Sequence, residues 1–286
     1  MLFGGCDNKK SCYLFSTSSQ QWTRLPDLPT ERYYHQSTKI NKSIFLIGGE
    51  NNKTIEEYEV SSKSLKFIAT SRMSGRCLFG MCLYYNEMLL IAGGEDDDEI
   101  VTNNCVLFNT SYKKFMLFKY NQFKHLQSMN IKKWGHVLVN MSSIIYSIGG
   151  CNDKDKYLTS IEEFNPSTEE WRISTFELQI ARCDHQAVAH KHFIYVFGGI
   201  SNDGRTATIE KIDTVTKCVE IIPTQIRVTR SSFAVAKVNE KVHLLGGETG
   251  TFTNTDSVEI FDLNTEQIEQ GGYMPFPNSG FSACVL

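Results

Sequence analysis

The 286-residue sequence predicts an all-β fold, a six-bladed β-propeller built from four-stranded units. Three observations support this prediction. No segment of useful length shows helical periodicity, and short β-compatible segments are separated by turn residues instead. The last nine residues repeat the first strand of the unit that precedes them. A glycine pair follows a short apolar run six times, at residues 4–5, 48–49, 93–94, 149–150, 198–199 and 246–247.

The glycine pair is predicted to end the second strand of each unit. Runs such as Ile194-Tyr195-Val196-Phe197 precede it, and glycine suits the position because the chain turns there without crowding by a Cβ atom. Sixteen residues before each pair lies a mostly basic column that opens the first strand. Its members are Arg32, Cys77 with Arg76 beside it, Lys133, Arg182 and Arg230.

The third and fourth strands carry large apolar markers. The third-strand markers are Phe15, Tyr58, Phe108, Phe164, Ile212 and Phe261, and in four units a glutamate stands two residues earlier, at 56, 162, 210 and 259. The fourth-strand markers, expected to fill the gap between blades, are Trp22, Phe67, Phe115, Trp171, Val219 and Ile268. One such sheet cannot cover its own two faces, so radial stacking of sheets is the arrangement that buries them.

Both ends of the chain contribute to one blade. Residues 278–286 align without gaps to residues 230–238, while the N-terminus begins within a second strand. Pairing these ends closes the ring by hydrogen bonds. The turn between the two is absent, which leaves open whether the chain is cut from a longer protein. We expect a single propeller over 1–286 with units 278–286 plus 1–31, 32–75, 76–131, 132–181, 182–229 and 230–277.

Composition excludes several classes of function. With 29 Lys+Arg against 32 Asp+Glu, the net charge of −3 gives no steering towards nucleic acid or anionic lipid. No run of 18 apolar residues is present. Nine cysteines without any C-x-x-C motif favour reduced thiols in the cytoplasm over disulfides or a zinc site. We therefore expect neither a nucleic-acid nor a membrane partner, and no cofactor.

The repeat resembles the kelch family over essentially the whole chain. The run Ile194 to Gly199, the run Ile161 to Trp171, and Arg182 with His185 match the family motif well. Four units replace the motif tryptophan, and Cys77 and Lys133 depart from the arginine column. The resemblance implies closed propellers that include a copper oxidase and sialic-acid mutarotases. It also implies many binding modules, some joined to BTB domains of ubiquitin ligases or associated with actin.

Two groups of side chains are candidates for metal binding, and each has a simpler interpretation. His35, His136 and His185 each lie three residues after the basic column, so they either approach one metal or are buried strand residues. No pattern identifies the crosslinked Tyr/Cys pair of a copper-radical site. Glu95, Asp96, Asp97, Asp98 and Glu99 either bind calcium or form a solvated loop. We predict no metal and no catalytic residue.

The remaining candidate is a binding surface. In kelch proteins the loops after the glycine pairs and before the first strands share one face, where extended acidic peptides dock. The alternative is that the basic column braces its own loops. Carried over to this sequence, the binding residues are Arg32, Tyr33, Tyr34, Arg76, Lys132, Lys133, Trp134, Arg182 and Arg230, with the acidic loop 95–99 beside them.

The sequence therefore predicts a non-enzymatic protein-interaction module, a scaffold, adaptor or substrate-recognition subunit. The resemblance implies protein partners among cytoskeletal or ubiquitin-ligase components and a cytoplasmic or cytoskeleton-associated location. The alternative function is a sugar-acting enzyme similar to the mutarotases or copper oxidases.

Overall fold

The computed structural model describes residues 1–62, 64–70, 76–85, 87–111 and 123–286. These residues form six antiparallel four-stranded sheets, numbered here as blades 1 to 6. No α-helix occurs among them, and so none of the described residues forms a helix of the length and apolarity needed to cross a membrane. The predicted all-β, six-bladed architecture is confirmed.

In blades 2 to 6 the four strands follow one another from the axis outward in the order of the sequence. In blade 1 the innermost strand comes from the C-terminus, and the other three come from the N-terminus. Beginning with blade 1, the first strands are Ser282–Ala283, Gln36–Ile40, Gly80–Tyr85, Val137–Met141, Gln186–His190 and Ala234–Val238. The second strands are Leu2–Phe3, Ser43–Ile47, Met88–Ala92, Ile144–Ile148, Phe193–Phe197 and Lys241–Leu245.

The outer half of each blade is a second hairpin. The third strands are Cys12–Ser16, Thr54–Glu59, Cys105–Asn109, Ser160–Asn165, Thr208–Asp213 and Ser257–Asp262. The fourth strands are Gln21–Arg24, Ser64–Thr70, Phe123–Leu126, Glu170–Glu177, Val219–Gln225 and Gln267–Tyr273. Two-stranded ribbons join Lys133–Trp134 to Cys151–Asn152, Ile200–Ser201 to Gly204–Arg205, and Glu248–Gly250 to Thr253–Asn254.

The ring closes through blade 1, as predicted. Leu2 pairs with Ala283 from the C-terminal strand on one side and with Tyr13 on the other. Each first strand contacts the first strands of both neighbouring blades, so the six first strands surround one axis. The joined ends leave blade 1 with neighbours on both faces.

The core lies between successive blades. Ile148 and Ile161 of blade 4 pack with Ile194 and Val196 of blade 5, and each of these four side chains is at most 1% exposed. The same arrangement continues across the closure, where Leu2 packs against blade 6. Burying each such side chain stabilises the fold by about 1.5–3 kcal/mol, so the inter-blade faces hold the ring together.

The predicted fourth-strand marker of blade 2 is wrong, and that of blade 3 lies outside the described residues. In blade 2 Leu65, rather than Phe67, pairs with the third-strand marker Tyr58. Phe67 lies opposite Glu56 and is 57% exposed, as is Ile173 at the equivalent place in blade 4. The residue that pairs with Tyr58 lies seven positions after it in the sequence. The spacing of nine that predicted Phe67 therefore selects a residue whose side chain faces outward. In blade 3 Phe123 pairs with Phe108, and the predicted Phe115 lies outside the described residues.

Candidate binding face

The loops after the glycine pairs and the loops before the first strands meet at one end of the ring, called here the loop face. Their proximity follows from strand pairing, because Gln36 at the start of a first strand pairs with Ile47 at the end of a second strand. The second glycine of each pair donates its N–H to the carbonyl of the residue that opens the next blade. These six inter-blade bonds are 2.8–2.9 Å long and end at residues 32, 76, 133, 182, 230 and 278.

A closed ring of backbone hydrogen bonds surrounds the axis at the loop face. Each member donates its N–H to the carbonyl of the equivalent residue in the preceding blade, over 2.6–3.2 Å. All six have φ between 51° and 60°, and outside glycine this left-handed conformation costs about 1 kcal/mol or more. The mutual bonds offset that strain and fix the opening of the channel. We call this set the mouth, and its members are Tyr34, Leu78, Gly135, Asp184, Ser232 and Gly280.

Arginines of the basic column are buried braces. The Arg182 guanidinium is fully buried and donates to the carbonyl of Gly198 over 2.8 Å and to the carboxylate of Glu210 over 2.7 Å. Burial lowers the pKa of Arg182, and the charge of Glu210 opposes that shift. Arg230 bonds Gly246 and Glu259 in the same way. Each guanidinium therefore ties its own second strand to its own third strand.

Arg32 completes the set of arginine braces. It donates to the carbonyl of Gly48 over 2.6 Å and lies 3.2 Å from Glu56, and its side chain is fully buried. The sequence left open whether this column binds a partner or braces its loops, and these contacts support bracing. Direct contact between these arginines and a partner stays a prediction.

The glutamates that stand two residues before the third-strand markers accept hydrogen bonds from the loops that lead into the first strands of their own blades. Glu210 accepts from the backbone N–H groups of Gln179 and Ile180 over 2.6 and 3.2 Å. Glu259 accepts from Arg227 and Val228 in the same way. This role was missed, although the sequence carried a signal for it. Each of the four units with this glutamate also has Arg or Lys in the basic column.

In blade 4 a lysine takes the place of arginine. Lys133 lies 3.0 Å from Glu162, and both side chains are fully buried. Burial lowers the pKa of Lys133, while the charge of Glu162 raises it. The ammonium lacks the fork that lets arginine reach a strand carbonyl as well, so this blade keeps the ion pair without the second contact.

Blade 3 departs furthest from the pattern, and its column member is Arg76 rather than Cys77. The Arg76 carbonyl accepts the inter-blade bond from Gly49, whereas Cys77 bridges to Glu95. The first strand of this blade has a register shift between Leu83 and Tyr85, so counting sixteen residues back from the glycines ends one residue late. Phe79, not Gly80, is then the equivalent of the three histidines.

Arg76 also lacks the carboxylate that its counterparts have. Val106 occupies the position of the glutamate, and Arg76 is 5% exposed with no hydrogen-bond partner at Nε or Nη1. Burial lowers its pKa. The residues outside the described part of the chain include neither Asp nor Glu, so none of them supplies the missing charge.

The three histidines pack between blades. His35, His136 and His185 are at most 3% exposed, and their Cβ atoms lie against the second glycine of their own blade's pair. His35 pairs through Nε2 with the Ser282 hydroxyl over 2.8 Å. Burial lowers the pKa of His35 and His185 to about 3, so both rings are neutral. Across the described residues no three His, Cys, Asp or Glu side chains form a metal-holding group.

The aromatic candidates are the more accessible part of the predicted site. Tyr33, Tyr34 and Trp134 are partly exposed on the loop face. Lys9 lies 4.4 Å above the Tyr33 ring, and the Tyr34 hydroxyl donates to Glu248 over 3.2 Å. Lys132 is exposed next to the buried Lys133. The predicted set is therefore divided into buried cations and partly exposed rings.

The acidic loop is folded back on itself. The Asp96 carboxylate accepts from the backbone N–H groups of Asp98 and Ile100 over 3.1 and 2.9 Å. Asp97 lies 2.6 Å from Lys53, which joins the loop to blade 2. These bonds satisfy carboxylate oxygens that a calcium ion would use, and they favour the solvated-loop interpretation.

Comparison with known proteins agrees with this architecture. Residues 135–286 match a family model described as the KLHDC2/KLHL20/DRC7 Kelch-repeats domain, and residues 6–172 match the β-propeller of tRNA wybutosine-synthesizing protein 4. The solved structure of YjhT superposes with a TM-score of 0.75 at 12% identity, covering 91% of this chain and 89% of that one. The fold is that of a six-bladed propeller, and the chain belongs to the kelch-repeat family.

Curated relatives include kelch-like proteins and beta-scruin, and the chain spans only part of their length. Kelch-like protein 40 of Xenopus tropicalis is 28% identical over 70% of this chain, and that of Xenopus laevis is 26% identical over 92%. Beta-scruin of Limulus polyphemus is 22% identical over 50% of this chain. The chain spans 32% and 42% of the length of the two Xenopus relatives.

Proposed function

We propose that this propeller is a non-enzymatic protein-interaction module that binds its partner on the loop face. The observation that carries the proposal is the mouth with its surroundings, a rigid hydrogen-bonded rim bearing partly exposed aromatic rings such as Tyr33 and Trp134. Rigid aromatic residues supply contact area at a low cost in conformational entropy, which is what an interface hot spot requires.

The arginine column supports that surface from below. Arg32, Arg182 and Arg230 hold the loops in position through internal bonds, while Tyr33, Tyr34, Trp134 and the acidic loop 95–99 face the partner. An adaptor, scaffold or substrate-recognition role, with a cytoplasmic or cytoskeletal location, agrees with the similarity to kelch-like proteins and to beta-scruin. The buried, neutral rings of His35 and His185 give the enzymatic alternative no specific support.

Site-specific photo-crosslinking tests this proposal. A photoreactive phenylalanine analogue replaces Trp134 on the loop face or, as the matched control, His192 in a turn at the opposite face. Extract from the cells of origin is irradiated with each variant, and crosslinked peptides are identified by mass spectrometry. We expect one partner to be captured from position 134 and not from position 192. Capture from position 192 alone would contradict the proposal.

A further inference from the structure

Charge is unevenly distributed between the loops that follow the glycine pairs, which form one part of the loop face, and the rest of the chain. The loops that follow the glycine pairs contain twelve Asp and Glu against six Lys and Arg, a net charge of −6 within a chain of net charge −3, so the remainder carries +3. These loops are residues 4–11, 48–53, 93–104, 149–159, 198–207 and 246–256. A surface of one sign attracts and orients partners of the opposite sign.

The negative charge reaches the axis at the mouth. Asp184 is a member of the mouth, and Glu248 and Glu95 stand close enough to raise its pKa, after burial, which is the main cause. Its pKa rises to about 7. Arg205 is the nearby cation, and its guanidinium is held by Glu248 over 2.7 Å and by Ser231 over 3.0 Å. Within the described chain Asp184 has no ion-pair partner of its own.

A second observation indicates that the mouth takes a hydrogen-bonding group. Below the mouth the channel has a volume of about 240 Å³ and is lined by Asp184, His136 and His185. Both histidines are at least 97% buried; one side of each ring lies near backbone, at Ala92 for His136 and Ile148 for His185, and each ring keeps a nitrogen with no hydrogen-bond partner among the described residues. Buried polar nitrogens that line a cavity are ordinarily satisfied by water or by a ligand. A neutral imidazole nitrogen accepts a bond from a cationic donor.

We propose that the mouth binds a lysine or arginine side chain from a basic segment of a partner protein, with Asp184 as its carboxylate and Glu95 and Glu248 around it. This inference rests on the proposed function, because it names the chemistry of the partner that the loop face takes. It differs from recognition of an acidic peptide, since the arginines that would grip such a peptide are buried and already paired with Glu56, Glu210 and Glu259.

Fluorescence anisotropy with two probes tests the inference. The probes are fluorescein-labelled Ala-Lys-Arg-Lys-Arg-Ala and the same peptide with glutamate at the four charged positions. The mouth variant is Asp184→Asn with Glu95→Gln. The matched control is Glu240→Gln with Glu269→Gln, which removes two carboxyl groups from exposed side chains away from the mouth. Melting curves confirm that each variant is folded.

We expect the basic probe to bind, and the mouth variant to bind it at least fivefold more weakly while the control changes affinity less than twofold. Affinity should fall with added salt. Equal weakening in both variants would show attraction by net charge alone and would overturn the inference, as would tighter binding of the acidic probe. If crosslinking from position 134 captures a partner but the mouth variant keeps full affinity for the basic probe, the inference fails and the proposed function stands. If the probe results hold but crosslinks arise from position 192 alone, the proposed function fails.

Discussion

Blades 5 and 3 fold to the same four strands around different buried charges. In blade 5 Arg182 and Glu210 are fully buried and paired over 2.7 Å, and the carboxylate also holds two loop N–H groups. In blade 3 Arg76 is nearly as buried, but Val106 replaces the carboxylate. The guanidinium and its carboxylate are therefore separable parts of the repeat. The strand order does not depend on the pair, and its contribution lies in fixing the loop that enters the blade.

Blades 5 and 3 also differ in the side chain that each contributes at the mouth. Blade 5 contributes Asp184, a buried carboxyl with Glu248 and Glu95 nearby, and blade 3 contributes Leu78 at the equivalent position. Both residues make the same backbone bonds with the same left-handed φ. The backbone ring fixes the geometry of this position, and the side chain there sets the chemistry presented at the mouth.

The largest expected effect comes from converting blade 5 to the arrangement of blade 3. Glu210→Val leaves Arg182 buried without its carboxylate and removes the acceptor from Gln179 and Ile180. We expect a loss of about 3–5 kcal/mol in the free energy of unfolding, measured by denaturant titration. The control Arg76→Met breaks no ion pair among the described residues, because the nearby Asp96 keeps its bonds to the N–H groups of Asp98 and Ile100, and it should change stability by less than about 1 kcal/mol. Similar losses in both variants would show that the pair is not what separates the blades.

The converse substitution should give blade 3 the missing contact. Val106→Glu places a carboxylate where Glu56 stands in blade 2, within reach of Arg76 if the two blades are equivalent. The substitution itself buries a charge, so we measure it with and without Arg76→Met. We expect the pair to couple by about 2 kcal/mol in this double-mutant cycle. Additive effects would mean that the Arg76 guanidinium points away from the glutamate position.

The smallest effect concerns Asp184 and pH. The pKa of Asp184 is about 7 in the folded protein, above the ordinary 3.8, so the folded state binds this proton more tightly than the unfolded state does. The folded state therefore loses stability relative to the unfolded state as pH rises from about 4 to 7. The charges that face it are Glu248, Glu95 and Arg205, with Ser232 as a hydrogen-bond partner. Asp184→Asn should match the wild type at pH 4 and exceed it at pH 8 by at least about 1 kcal/mol, the free energy of one pKa unit. Thermal melts across that pH range measure this difference, and parallel curves would refute it.

The sequence indicated the positions of the repeat better than the roles of the residues at those positions. The glycine pairs and the match between residues 278–286 and 230–238 predicted strand ends and closure, because both are local patterns. The extra residue in the first strand of blade 3 moved the predicted column from Arg76 to Cys77, since a bulge changes spacing without changing composition. Asp184 was missed as a candidate, although aligning the residues two positions after the basic column would have placed it beside Tyr34 and Ser232.

By itself the sequence determined the number of blades, their strand order and the shared blade at the closure. These follow from repeated spacing and from the need of each sheet to cover its neighbour's face. The tertiary structure alone decided that Arg182 and its equivalents are internal, because an arginine at a strand start reads the same whether its guanidinium meets solvent or a glutamate from the third strand. It also decided that Glu95 and Glu248 stand close enough to Asp184 to act on its carboxyl, since residues from three blades meet only after the ring has closed.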